Sequence, residues 1–260
     1  RTVTKTDNNG MYWLPSAYHE GDRIVWISIP SGYMVNTKNG WEPRFWHALD
    51  TEKLQAGVAQ RHDFTLSSVN QDKFRLVAFS DTHIRGLQAA EGITEMDSLI
   101  FRSKFIPKLQ AQSSSGPVYG VCLGDMIQEY AIDVNGTGLP EYKKCLRDVN
   151  FPIFHIPGNH DYYGKQTKNY SSDTEGLEPK QYYRTHLGPT YYSMSISNNH
   201  FLMLDGTIML GSNGVSGGYN KYLSKISPRQ MEWIASDLAA VEDKASTALI
   251  ICCHQPFYMY

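Results

Sequence analysis

The sequence predicts an α/β chain: a layered core of β-sheets flanked by helices, preceded by a small β-sandwich domain. Three observations predict it. From residue 74 onward, short apolar runs alternate with segments of helical periodicity. Residues 1 to about 70 are instead rich in aromatic and β-branched residues, broken by turn-forming clusters. Between the two lies a polar connector, LSSVNQDK, Leu66 to Lys73, which sets the boundary between an accessory domain over 1–70 and a main domain over 74–260. A chain of 260 residues, 41% hydrophobic and 19% charged, has room for both.

Each element has its own justification. TDNNGMYW predicts a hairpin, with Asn9-Gly10 able to take positive φ. GMYWLP and DRIVWISIPSGYMV predict short strands. FRLVAF (74–79), VYGVCL (118–123), FPIFHI (151–156) and ALIICC (248–253) predict strands buried on both faces. TEMDSLIFRSKFIPKLQAQ (94–112) sets Met96, Ile100, Phe101 and Phe105 at helical spacing, with Pro107 expected to kink or split the helix. LPEYKKCLRDVN (139–150) and SPRQMEWIASDLAAVEDK (227–244) predict two more helices. The second opens with Ser227 as N-cap and Pro228 at the first helical position. TYYSMSISNNHFLMLDG (190–206) predicts two strands joined at Asn198-Asn199.

The bulk numbers narrow the function classes. A formal net charge of −2 gives no reason to expect general nucleic-acid binding, which shows as a basic excess. No run is long and apolar enough for a transmembrane helix. Four cysteines are too few for a disulfide scaffold at this length, and all are expected as buried thiols, with Cys252 and Cys253 on opposite faces of a strand.

Four of the buried strands end in the same kind of chemistry. Ser80-Asp81-Thr82-His83 follows the first, Gly124-Asp125 the second, Gly158-Asn159-His160-Asp161 the third and His254-Gln255-Pro256 the fourth. Ligands of open α/β sheets bind outside the carboxyl ends of the strands, so these residues converge. Polar groups there are costly to desolvate unless something pairs with them. Carboxylate, imidazole and amide oxygen without thiolate suit divalent Mn, Fe, Zn or Mg. Two carboxylates and several imidazoles suffice for two ions, the arrangement that drives in-line displacement at phosphorus.

Here the sequence resembles the calcineurin-like metallophosphoesterases, whose pattern is D-x-H, G-D, G-N-H-[DE], an isolated H at a strand end, then G-H-x-H. The chain shows D-T-H, G-D, G-N-H-D and H-Q-P in that order, over roughly Phe74 to Tyr258. The resemblance implies Asp81 and His83 as ligands of a first divalent metal ion, Asp125 as a bridge, and Asn159 and His254 as ligands of a second. It implies His160 as general acid or charge stabiliser, Asp161 as the residue orienting His160, and a hydroxide between the metals as nucleophile. The implied activity is hydrolysis of a phosphate monoester or diester, with a phosphorylated small molecule, lipid or glycan as substrate. TKTDNNGMYWLP resembles the hairpin of transthyretin-like and carboxypeptidase-regulatory-like β-sandwiches, which precede such enzymes in some exported bacterial proteins. That favours a periplasmic or cell-surface location.

Two departures matter. Gln128 stands where purple acid phosphatases carry the iron-binding Tyr of G-D-x-x-Y, which argues against that branch. No G-H-x-H follows His254. The absence of an initiator Met and the end at HQPFYMY predict a piece of a longer chain. The rival reading is a partly degenerate, non-catalytic module that binds metal or a partner. Among the remaining residues, Asp161 serves either as that orienting group or as a simple cap. His155 and His200 are expected to be structural. Tyr162, Tyr163, Tyr182 and Tyr183 either wall a pocket or pack in the core.

Overall fold

A computed structural model describes residues 3–15, 24–85, 97–111, 116–129, 131–132, 138–163, 177–212 and 220–256. Six strands precede the main sheets: β1 (Ile24–Trp26), β2 (Tyr33–Val35), β3 (Thr37–Lys38), β4 (Glu42–Pro43), β5 (Trp46–Ala48) and β6 (Leu66–Ser68), with helix α1 (Thr51–Gln55) between the last two. They pair antiparallel as β1–β5, β2–β6 and β3–β4. The stretch read as a connector is therefore partly strand. Its Gln71 is buried, accepting from the Gly32 and Ser197 N–H groups and donating to the Tyr119 hydroxyl. At Asp7–Met11 the expected turn forms. Asp7 Oδ1 accepts from Asn9 N and Met11 N, and Gly10 has φ +75°, but GMYWLP forms no described strand.

Two sheets follow, and the period-2 alternation of their strands decides what each face meets. The first holds β7 (Arg75–Phe79), β8 (Val118–Cys122) and β9 (Ile153–His155), all parallel. The second holds β10 (Tyr192–Ile196), β11 (Asn199–Leu204) and β14 (Ala248–Cys253), with β10–β11 antiparallel and β11–β14 parallel. Between these two sheets lies a core of Tyr119, Val121, Phe154 and Ile156 against Tyr192, Met194, Phe201 and Met203. The other face of the first sheet, through Val77, Cys122 and Ile153, packs on helices. The other face of the second, through Leu202, Leu204 and Cys253, packs on a single helix carrying Trp233. The result is helices, sheet, sheet, helix. Each fully buried apolar side chain contributes about 1.5–3 kcal/mol, so the three clusters hold the layers together. Cys252 and Cys253 face different clusters, as alternation requires, and all four cysteines are free thiols. Both are half-buried rather than buried.

The helices follow their sequence signals with one revision. The segment over 97–110 is α2 (Asp97–Ile100), a π-helical turn (Phe101–Phe105) and α3 (Ile106–Gln110). Pro107 has no N–H to give and its ring would strike the carbonyl four residues back, so the helix widens just before it. Ile106 N donates to Phe101 O, five residues back. Next come α4 (Leu139–Cys145), α5 (Leu177–Leu187) and α6 (Pro228–Ala240), the last capped by Ser227 accepting from Gln230 N. A ribbon of β12 (Thr207–Ser212) and β13 (Asn220–Ser224) lies between α5 and α6 in sequence, after β11.

Two further expectations shift. The β10–β11 turn falls on Ser197-Asn198, one residue earlier than read, with Ser197 at φ 53°. Strand β14 is the last in its sheet order and leaves Leu249 and Ile251 exposed, rather than being buried on both faces. At the other edge, Ser195 N of β10 donates to Ile29 O, so the first segment closes the ladder there. Asn135-Gly136-Thr137 and Asn169-Tyr170-Ser171, which match the glycosylation acceptor pattern, lie outside the described residues.

Candidate metal centre

The carboxyl ends of β7, β8 and β9 lie side by side because the three strands are parallel. Past the strands, the first two loops keep pairing. Asp81 N donates to Gly124 O, His83 N to Asp125 O and Ile84 N to Met126 O, while Thr82 Oγ1 donates to Met126 O. Asp81, His83 and Asp125 all have left-handed backbone, at φ 55°, 43° and 52°. Such conformations cost non-glycine residues of order 1–3 kcal/mol each and persist where the surroundings hold them for a purpose. Here they turn the side chains into one site.

The Gly-Asp and Gly-Asn pairs have a steric reason. A Cβ on Gly124 would lie 2.5 Å from Gly158 N, and one on Gly158 would lie 2.1 Å from Asp125 Oδ1. Only glycines let the two loops touch backbone to backbone. The Asp161 carboxylate fastens the contact, accepting from Gly158 N (2.7 Å), Asp125 N (2.8 Å), Met126 N (2.8 Å) and Ile127 N (3.3 Å). Burial first, and Asp125 second, push its pKa up to about 7, while these N–H donors favour the anion.

Within this frame two donor groups form, each with ligand atoms within 4.8 Å of one another: His83, Asp125 and His160; and Asp81, Asp125 and His254. Asp125 belongs to both. Its Oδ2 lies 3.2 Å from His254 Nε2 and 3.8 Å from His83 Nε2, and its Oδ1 accepts from His160 N. Asp81 Oδ1 lies 3.6 Å from His83 Nε2 and so sits beside both groups. His254 arrives from the second sheet. Its Nδ1 donates to Leu123 O at 2.8 Å, and since a carbonyl only accepts, Nε2 is the nitrogen that faces Asp125, donating to it when the ring is charged and free to bind a cation once that proton leaves. Burial alone would lower its pKa; the Asp125 hydrogen bond and charge raise it to about 9. Asp125 is held low despite its burial, by His254 and His160. The donor set fits divalent cations: carboxylate and imidazole donors converge without thiolate, and the carboxylates attract positive charge.

Asn159 is buried, and its Oδ1 accepts from Gln255 Nε2 at 2.8 Å, which ties it to the residue after His254. Of the five residues expected as metal ligands, Asp81, His83, Asp125 and His254 lie in the two donor groups, while Asn159 is tied to the residue beside His254. The expected partner of His160 is corrected. Asp161 spends its oxygens on backbone N–H groups, and His160 Nδ1 instead meets buried Glu129 Oε2 at 2.5 Å. Burial opposes a charged His160, but the Glu129 hydrogen bond and charge outweigh it and raise the pKa. Sequence reasoning missed Glu129 and Gln255, for neither stands in a motif spacing that announces a contact. Gln128, at the position where a Tyr was sought, instead holds His83 Nδ1 at 2.7 Å. The tyrosine question resolves in part toward packing: Tyr162 and Tyr183 are fully buried, and the Tyr182 hydroxyl accepts from Leu139 N. His155 and His200 are buried, against Tyr142 and against Ser195 with Asp237.

Residues 74–260 match the family described as calcineurin-like phosphoesterase, and residues 1–69 match the one described as N terminal of calcineurin-like phosphoesterase. No curated protein matches the chain. Among solved structures, a purple acid phosphatase from yellow lupin seeds is similar over 92% of this chain and 47% of its own length, with 15% identity and a TM-score of 0.41. The chain therefore spans about half the length of that protein.

Proposed function

From the premise that this chain belongs to the calcineurin-like phosphoesterase family, we propose that it hydrolyses phosphate esters at a two-cation centre built on Asp125. The observation that carries the reading is Asp125 itself, a buried carboxylate shared by two donor groups on strained backbone. His83 would hold one cation, and Asp81, Asn159 and His254 the other, with Asp81 near enough to serve the first as well. When bound, such ions polarise phosphoryl oxygens and make water acidic at neutral pH.

The chain's own residues do the rest. Glu129 holds His160 by Nδ1 and favours the charged ring, the form in which Nε2 carries a proton. That proton is given to the leaving oxygen as the ester bond to phosphorus breaks. Leu123 O and Gln128 set the rings of His254 and His83, and Gln255 sets Asn159. Asp161 holds the loops rather than the acid.

The test pairs metal analysis with hydrolysis of an aryl phosphate and an aryl phosphodiester in added Mn²⁺. Two equivalents of metal and turnover are expected, both lost in Asp125→Ala and Asn159→Ala. Wild-type rates in either variant would sink the assignment. A metal-loaded chain that turns over neither ester would favour the non-catalytic module.

A further inference from the structure

A cleft of about 520 Å³ opens away from the metal centre. Trp41 forms part of its wall, and Trp41 O accepts from Ile153 N at the start of β9, whereas Asn159 follows the far end of that strand. Arg102, Lys143, Lys144 and Arg147 also line it, with Glu141 as the one carboxylate among the lining residues. Three of the four cations are answered. Lys143 meets Glu42 at 2.7 Å and His186 O at 2.8 Å, Lys144 meets Glu141 at 3.4 Å, and Arg147 lies 3.7 Å from Asp148.

Arg102 differs. Its Nε is buried and, among the described residues, has no hydrogen-bond partner. Buried N–H donors are nearly always paired, because an unpaired one forfeits its bond to water. A guanidinium presents a planar fork that suits two oxygens of one oxyanion. The volume lies within the range of small-molecule sites. The Lys144 and Arg147 side chains are largely exposed, and their weak pairings leave them able to turn toward a ligand.

We propose that this cleft is a second ligand site, separate from the metal centre, which binds a small polyanionic oxyanion of the phosphate or phosphonate type on Arg102, with Lys144 and Arg147 at its rim. The probe is methylenediphosphonate, whose P–C–P bridge resists hydrolysis, titrated calorimetrically into the intact chain and into Asp125→Ala. A binding event is expected that persists in Asp125→Ala. Arg102→Gln should weaken it about tenfold, the loss of a charge-assisted hydrogen bond. Lys144→Gln, a change at an exposed side chain that leaves folding intact, should weaken it about twofold and flatten its salt dependence. Melting curves check that each variant is folded, and Lys144→Gln alone decides should Arg102→Gln unfold. Binding that disappears with Asp125→Ala, or that neither Arg102→Gln nor Lys144→Gln alters, would overturn the proposal.

Discussion

At the scale of single residues, the site rests on side chains that hold other side chains. Glu129 is the clearest case: its carboxylate meets His160 Nδ1 at 2.5 Å and raises the imidazole's pKa against burial. Glu129→Gln removes that charge, so the His160 pKa falls. The alkaline limb of the pH–rate profile, which needs the protonated ring, should move to lower pH, with activity down about 10–100-fold. An unmoved limb would assign the acid elsewhere. His155 makes a second prediction, away from the metal centre. Burial first, and Lys143 second, lower its pKa from 6.5 to about 3. The folded chain therefore keeps it neutral while the unfolded chain protonates it below pH 6.5. Stability from this group is present above pH 6.5 and is lost as pH falls toward 3, by up to about 1.4 kcal/mol per pH unit. Denaturant melts of wild type and His155→Gln across that range should show a shallower acid loss in the variant. The motif residues of the centre were legible because each closes an apolar strand. Glu129 was not, since a contact between residues 129 and 160 is made by the fold and leaves no spacing to read.

At the scale of elements, the decisive contact is loop against loop. Gly124 and Gly158 allow the ends of β8 and β9 to meet, and Asp161 ties them with backbone hydrogen bonds. Gly158→Ala would put a methyl 2.1 Å from Asp125 Oδ1, so the loop or the carboxylate must move. We expect a loss of about 1–3 kcal/mol of stability and a larger loss of metal, because the displaced oxygen belongs to the carboxylate that both donor groups share. Full metal content in a folded Gly158→Ala chain would contradict this account. The helix over 97–110 shows what sequence alone leaves open. Pro107 predicts an interruption, but a kink, a break and a π-turn all relieve the same missing N–H. Packing of Phe101, Ile106 and Leu109 into the first cluster selects the π-turn, because it keeps those side chains on the buried face.

At the scale of the whole molecule, the first seventy residues and the main sheets share a core. Ile29, Val35 and Phe45 enter the cluster between the sheets, and the Phe45 ring packs at a tilt with its centroid 5.8 Å from that of Phe154 and 4.6 Å from that of Tyr192. Phe45→Ala should cost about 3–5 kcal/mol and lower the melting of the entire chain in one transition. Two separate transitions, with only the first shifted, would show that the segment folds on its own. No described helix is long and apolar enough to cross a membrane.

The sequence by itself carried the strand-end motifs and the alternation of strands with helices that sets the layering. Asp81, His83, Asp125, Asn159 and His254 stood out because each follows an apolar strand and the pattern they resemble implies ligands there, and alternation put Cys252 and Cys253 on opposite faces; that His254 comes from the second sheet was decided by the tertiary structure. Tertiary structure alone decided the partners: Glu129 on His160, Asp161 on four backbone amides, Gln255 on Asn159, and Ile29 on the open edge of β10. Periodicity is a local property of the chain and survives in the sequence. Which distant groups satisfy a buried hydrogen-bonding atom depends on how the layers close over it, and that is written only in three dimensions.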